Sequence, residues 1–128
     1  MAKKIAIENS AKYILNNIQS AALMENKDKL FNYAIELAKK RRAGSLILEF
    51  GVFKGRSLNI LSVNFPNYKI YGFDIFTGIP DAMYGTNITS GHFKTIVPDI
   101  NKNCELIVGD IKDTVVDFSK TSNEKFYL

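Results

Sequence analysis

The sequence holds one cysteine, one histidine, three prolines and no tryptophan in 128 residues. A lone Cys104 excludes an intramolecular disulfide, and an isolated thiol fits a reducing compartment such as the cytosol. With His92 as the only histidine, a Cys/His metal cluster is excluded too. Long apolar runs are missing. After Lys3 and Lys4 only Ile5, Ala6 and Ile7 precede Glu8, Asn9 and Ser10, which is too short for a signal-peptide core or a membrane span. No internal repeat, low-complexity tract or Pro/Gly-rich linker interrupts the chain. The expectation is a cytoplasmic protein without a membrane partner. Its 46% hydrophobic and 23% charged residues suit one globular domain, burying about two thirds of its unfolded surface.

Acidic residues are scarce only at one end. Residues 1–42 carry nine Lys/Arg against four Asp/Glu, whereas residues 43–128 carry eight against nine, so the net charge of +4 is entirely N-terminal. The densest run is Lys39, Lys40, Arg41 and Arg42. It falls at the expected end of a helix, where cations complement the helix dipole and solvate the last turn. That reading is preferred over a phosphate-binding patch, and no nucleic-acid partner is expected.

Apolar residues recur at helical spacing at Ile7, Ala11, Ile14, Leu15, Ile18 and Ala22, and again at Leu30, Phe31, Ala34, Ile35 and Ala38. Two amphipathic helices are expected over residues 1–43, packed on the rest of the chain, with Gly44 ending the second. The pattern then changes. Leu46 to Phe50 reads as a short buried strand, followed by a glycine turn from Gly51 to Gly55. A helical stretch carrying Leu58, Leu61 and Phe65 comes next and stops at Pro66. Further strands are expected at Lys69–Asp74 and Glu105–Asp110. Strands separated by helices imply crossover connections and a parallel sheet, so the expected class is α/β, Rossmann-like, over residues 44–128.

Ligands of such sheets bind beyond the carboxyl ends of the strands. The glycine turn, Asp74 and Asp110 collect there. Gly51 and Gly55 let the backbone turn tightly and approach a ligand, and the helix opening near Arg56 and Ser57 presents N–H groups to an anionic group. Asp74 can accept hydrogen bonds from a ribose diol, and Asp110 can take the exocyclic amine of an adenine ring. Each has an ordinary alternative, because glycine after a strand is often only a turn and Asp after a strand often caps the next helix. Nucleotide phosphates are disfavoured. The loop has a G-x-x-x-G frame instead of G-x-G-x-x-G, and Arg56 breaks the phosphate-loop pattern.

The segment Glu49-Phe50-Gly51-Val52-Phe53-Lys54-Gly55-Arg56-Ser57 resembles the first motif of class I S-adenosylmethionine-dependent methyltransferases. Gly72-Phe73-Asp74-Ile75-Phe76-Thr77-Gly78-Ile79-Pro80-Asp81 is similar to the G-F-D-x-F-x-G-L-P-E segment of the macrocin-type O-methyltransferase family, whose members modify sugar hydroxyls. Val108 to Thr114 resembles that family's third-strand segment. The resemblance covers most of residues 44–128 and implies the N-terminal part of a class I methyltransferase fold. It further implies that the loop containing Glu49, Phe50, Gly51, Val52 and Gly55 wraps the methionyl part of S-adenosylmethionine, with Ser57 helping to hold its carboxylate. Asp74 would bind the ribose hydroxyls, Phe76 would flank the ligand, and Asp110 with Ile111 would border the adenine. Glu49 either touches the ligand or orients loop amides.

The departures are specific. The family often has Trp after G-L-P-E, where this chain has Asp81-Ala82-Met83. Residues 75–98, rich in glycine and holding His92, are expected to form an irregular mobile lid. His92 reads as a surface histidine in preference to a general base, and Cys104 as a small buried residue in preference to a nucleophile. Phe126-Tyr127-Leu128 reads as the start of a fourth strand. The carboxylates with which the family holds a divalent metal lie in and beyond that strand, so a metal is expected only in a longer protein. The chain is expected to be a fragment, with no catalytic residue identified. Two functions remain: the cofactor-binding half of an O-methyltransferase acting on a small-molecule hydroxyl, or a non-catalytic assembly module pairing through its open sheet edge, possible as a homo-oligomer.

Overall fold

A computed structural model describes residues 2–18, 21–40 and 45–121. By its internal contacts the chain divides into two compact units, Met1–Ala34 and Ile35–Leu128, where length alone suggested one domain. The first contains α1 (Ala2–Asn17), and α2 (Lys27–Lys39) spans the division. Helix α1 stops before Ala22, which the spacing had placed on it, and buries none of its residues; Ile7, Ile14 and Leu15 are all more than half exposed. Asn26 caps α2, its side-chain oxygen accepting the Lys29 N–H at 2.9 Å, and Ile35 is the helix's buried residue. The expected helix end at Gly44 and the cations Arg41 and Arg42 lie outside the described residues, as does the fourth strand expected at Phe126–Leu128.

The second unit is built on β1 (Ile47–Phe50), α3 (Arg56–Asn64), β2 (Ile70–Asp74), β3 (Cys104–Val108) and α4 (Ile111–Thr121). The strands form one parallel sheet in the order β1-β2-β3, with Phe50 level with Phe73 and Asp74 level with Val108. Strand β2 is central, and its run Ile-Tyr-Gly-Phe-Asp is apolar on both sides because both faces are covered. On one face Gly72 leaves room for α3: a Cβ there would stand 2.6 Å from Val52 Cγ2 and 3.0 Å from Leu58 Cδ2. On the other, Phe118 of α4 meets Tyr71 and Phe73 edge-on at 4.7 and 5.4 Å between ring centres. Leu58, Ile70 and Phe73 are fully buried and form the centre of the core.

The β2 to β3 crossover is irregular, as its sequence led us to expect: residues 75–103 contain no helix. Side-chain amides hold its end in place. Asn103 donates to the carbonyls of Ser62, Phe65 and Tyr68 and accepts from the buried Ser62 hydroxyl, while Asn59 and Asn101 bond each other across the same seam. Cys104 sits half-buried beside Leu58, and burial pushes its thiol pKa up, in keeping with a packing role.

Candidate functional site

The carboxyl ends of the three strands open into the loops that begin at Gly51, Ile75 and Gly109, and Asp74 joins them. Its Oδ2 accepts the Phe53 N–H and its Oδ1 accepts the Phe76 N–H, both at 2.8 Å, while its carbonyl accepts the Gly109 N–H at 3.1 Å. Both phenylalanines have left-handed backbones, with φ of 51° and 55°. That conformation costs a residue with a Cβ about 1–2 kcal/mol, so the Asp74 carboxylate holds two strained turns in place. A carboxylate offers about four lone-pair positions; the two amides leave room for two hydroxyl donors.

Gly51 turns out of β1 at φ 89°, a region that favours glycine, and its N–H bonds the Phe73 carbonyl at 2.9 Å. A Cβ on Gly51 would meet nothing within 4 Å, so the turn is open to a ligand. Gly55 starts α3 as its N-cap without a side-chain cap. Beside them Ser57 donates its hydroxyl to Glu49 Oε1. Glu49 Oε2 is buried with no hydrogen-bond partner. Burial raises the Glu49 pKa above 4.5, the Ser57 hydrogen bond opposes the shift, and the Asp74 charge adds to it. The Ser57 proton is thus engaged by Glu49.

Asp110 caps α4: its Oδ1 accepts the Lys112 N–H at 2.9 Å and its carbonyl accepts those of Asp113 and Thr114. The helix-cap alternative therefore holds for Asp110, and its second carboxylate oxygen stays available at the cavity wall.

A cavity of about 370 Å³ lies over these strand ends, lined by Gly51, Phe53, Asp74, Ile75, Gly78, Ile79, Pro80, Phe93, Asp110, Ile111 and Lys112. Of the site residues expected from sequence, Gly51, Asp74, Asp110 and Ile111 line it. Glu49, Phe50, Val52, Gly55, Ser57 and Phe76 do not; Val52 and Phe76 are buried beneath, and Phe50 is half exposed at the end of β1. Phe53, Phe93 and Lys112 are lining residues that sequence reasoning passed over. Phe53 stood inside the motif from Glu49 to Ser57, whose loop was expected to wrap a ligand, but was not singled out there.

The expected irregular lid has no helix or strand over residues 75–98, but backbone hydrogen bonds close it on itself. Ile79 N–H bonds His92 O at 3.0 Å, Gly91 N–H bonds Ile79 O at 2.8 Å, and Thr95 N–H bonds Phe76 O at 3.1 Å. Within this ladder Gly78 is buried, at φ 91°, against the Gly91 carbonyl. The segment thereby carries Phe93 to the cavity wall. Its ring meets Phe53 edge-to-face at 5.8 Å and His92 at 4.5 Å.

No protein-family model matches the sequence, and no curated protein matches it. A solved structure does: the crystal structure of the calicheamicin methyltransferase CalS11 aligns with a TM-score of 0.55 at 21% identity, over 89% of this chain and 56% of that one. Over its length the chain shares the Rossmann-like parallel-sheet fold of that methyltransferase. It spans a little over half the length of that methyltransferase. Among the described residues no group of three or more His, Cys, Asp or Glu side chains could hold a metal ion, and no helix is long and apolar enough to cross a membrane.

Proposed function

We propose that this chain is the cofactor-binding half of an S-adenosylmethionine-dependent methyltransferase that acts on the hydroxyl of a small molecule. The observation that carries the reading is the position of Asp74, whose carboxylate keeps two acceptor positions at the wall of a cavity over the ends of a parallel sheet. A ribose diol matches two such acceptors. Ile111 and the second oxygen of Asp110 border an adenine to the β3 side. The open turn at Gly51 accommodates the methionyl chain on the β1 side.

When bound, S-adenosylmethionine supplies the electrophilic methyl group, and the protein contributes position. Asp74 fixes the ribose, the Gly51 turn admits the ligand backbone, and the 75–98 segment covers the cavity. The methyltransferase fold favours this reading over the assembly module. Calorimetric titration of the folded chain with S-adenosylmethionine, S-adenosylhomocysteine, ATP and NAD tests it. Binding of the first two and not the last two is expected. A folded chain that binds none of the four, or binds ATP and NAD equally well, overturns it.

A further inference from the structure

Strand order fixes the direction in which a nucleoside can lie. Asp74 is on the central strand, Asp110 beyond β3 on one side and Phe53 beyond β1 on the other. With the ribose at Asp74 and the base at Asp110, the 5′ substituent runs toward Gly51 and Phe53. There the wall changes character. Phe53 and Phe93, from segments far apart in sequence, meet edge-to-face at 5.8 Å, and both have left-handed backbones, at φ 51° and 66°. Bulky residues in that region are strained, and strain of this kind gathers at ligand clamps. Lys54 Nζ lies 5.4 Å from the Phe53 ring centre, so this ring already takes a cation against its π face.

We propose that Phe53 and Phe93 form an aromatic seat for the sulfonium of the bound ligand and set its preference for the charged donor over the neutral thioether product. This rests on the nucleoside reading above. The attraction is between the ligand's cation and the ring quadrupoles, reinforced by the carboxylate of Asp74 beside Phe53. A neutral sulfur gains only packing from the same rings.

The test is calorimetry on the 128-residue chain with S-adenosylmethionine and S-adenosylhomocysteine, comparing wild type with Phe53→Leu, Phe93→Leu and the ring-preserving Phe53→Tyr. Each leucine variant should bind S-adenosylmethionine about three- to thirty-fold more weakly while binding S-adenosylhomocysteine within about twofold of wild type, and Phe53→Tyr should restore the preference. Phe93→Leu alters a separate segment and carries the test if Phe53→Leu does not fold. Equal losses for both ligands in a folded leucine variant overturn the aromatic seat and leave the nucleoside site standing. Wild-type chain that binds neither ligand overturns both.

Discussion

Replacing Asp74 with alanine tests the site and the fold together, because one carboxylate restrains both strained phenylalanine turns. Hydrogen bonds to a charged group are each worth about 1.5–3 kcal/mol. The Phe76 N–H is partly buried under a side chain that is only 5% exposed, so most of its bond should be lost in full. The Phe53 N–H lies at an exposed position, where water replaces much of what the carboxylate supplied. Relaxation of the two left-handed turns returns part of the loss, about 1 kcal/mol for each turn that relaxes. The balance is a destabilisation of about 2–3 kcal/mol. Asp74→Asn should recover roughly half of it, since its carbonyl oxygen accepts one amide while its NH2 group faces the other. Urea unfolding followed by circular dichroism at pH 7 gives both numbers. If Asp74→Ala lies within about 0.5 kcal/mol of wild type, or Asp74→Asn equals wild type, the carboxylate is not the restraint described.

Two further outcomes follow from single contacts. Burial raises the Glu49 pKa in the folded chain, so the folded state keeps a proton that the unfolded state releases, and stability falls as pH climbs from 4.5 through the raised value. Glu49→Gln should flatten that slope in urea titrations across the range and exceed wild type in stability on its alkaline side; an unchanged slope assigns the pH dependence elsewhere. At Gly78 a methyl group would collide with the Gly91 carbonyl and stand 2.7 Å from His92 O, on a backbone at φ 91°. Gly78→Ala should open the 75–98 segment, costing it about 2–4 kcal/mol. Hydrogen exchange should then show the Gly91 and Thr95 amides losing protection while those of β2 keep theirs, and retained protection would contradict the packing.

Local chemistry made much of this legible in advance. Short β-branched and aromatic runs ending in Gly or Asp marked the three strands, and the observed bounds differ from the expected ones by a residue or two, as strand ends do where hydrogen bonding stops. Gly51 announced its turn because few residues tolerate its backbone. The irregular β2 to β3 crossover was legible too, since a parallel pair requires only enough chain to return, but its self-bonding backbone was not. Helix α1 shows the opposite limit. Its apolar spacing was visible, yet spacing says nothing of whether a face is covered, and none of its residues is buried.

By itself the sequence determined the alternation of strand and helix, the glycine turn and the acidic residues at strand ends, because each depends on a few neighbouring residues and their backbone preferences. Only the tertiary structure decided which groups meet. It bound Asp74 to the amides of Phe53 and Phe76, engaged Ser57 with Glu49 and left one Glu49 oxygen unpaired. It also brought Phe93 against Phe53 across forty residues of chain. Those pairings arise from the sheet order and from a loop that closes on itself through Gly78, and both are properties of contacts remote in sequence, which no local pattern encodes.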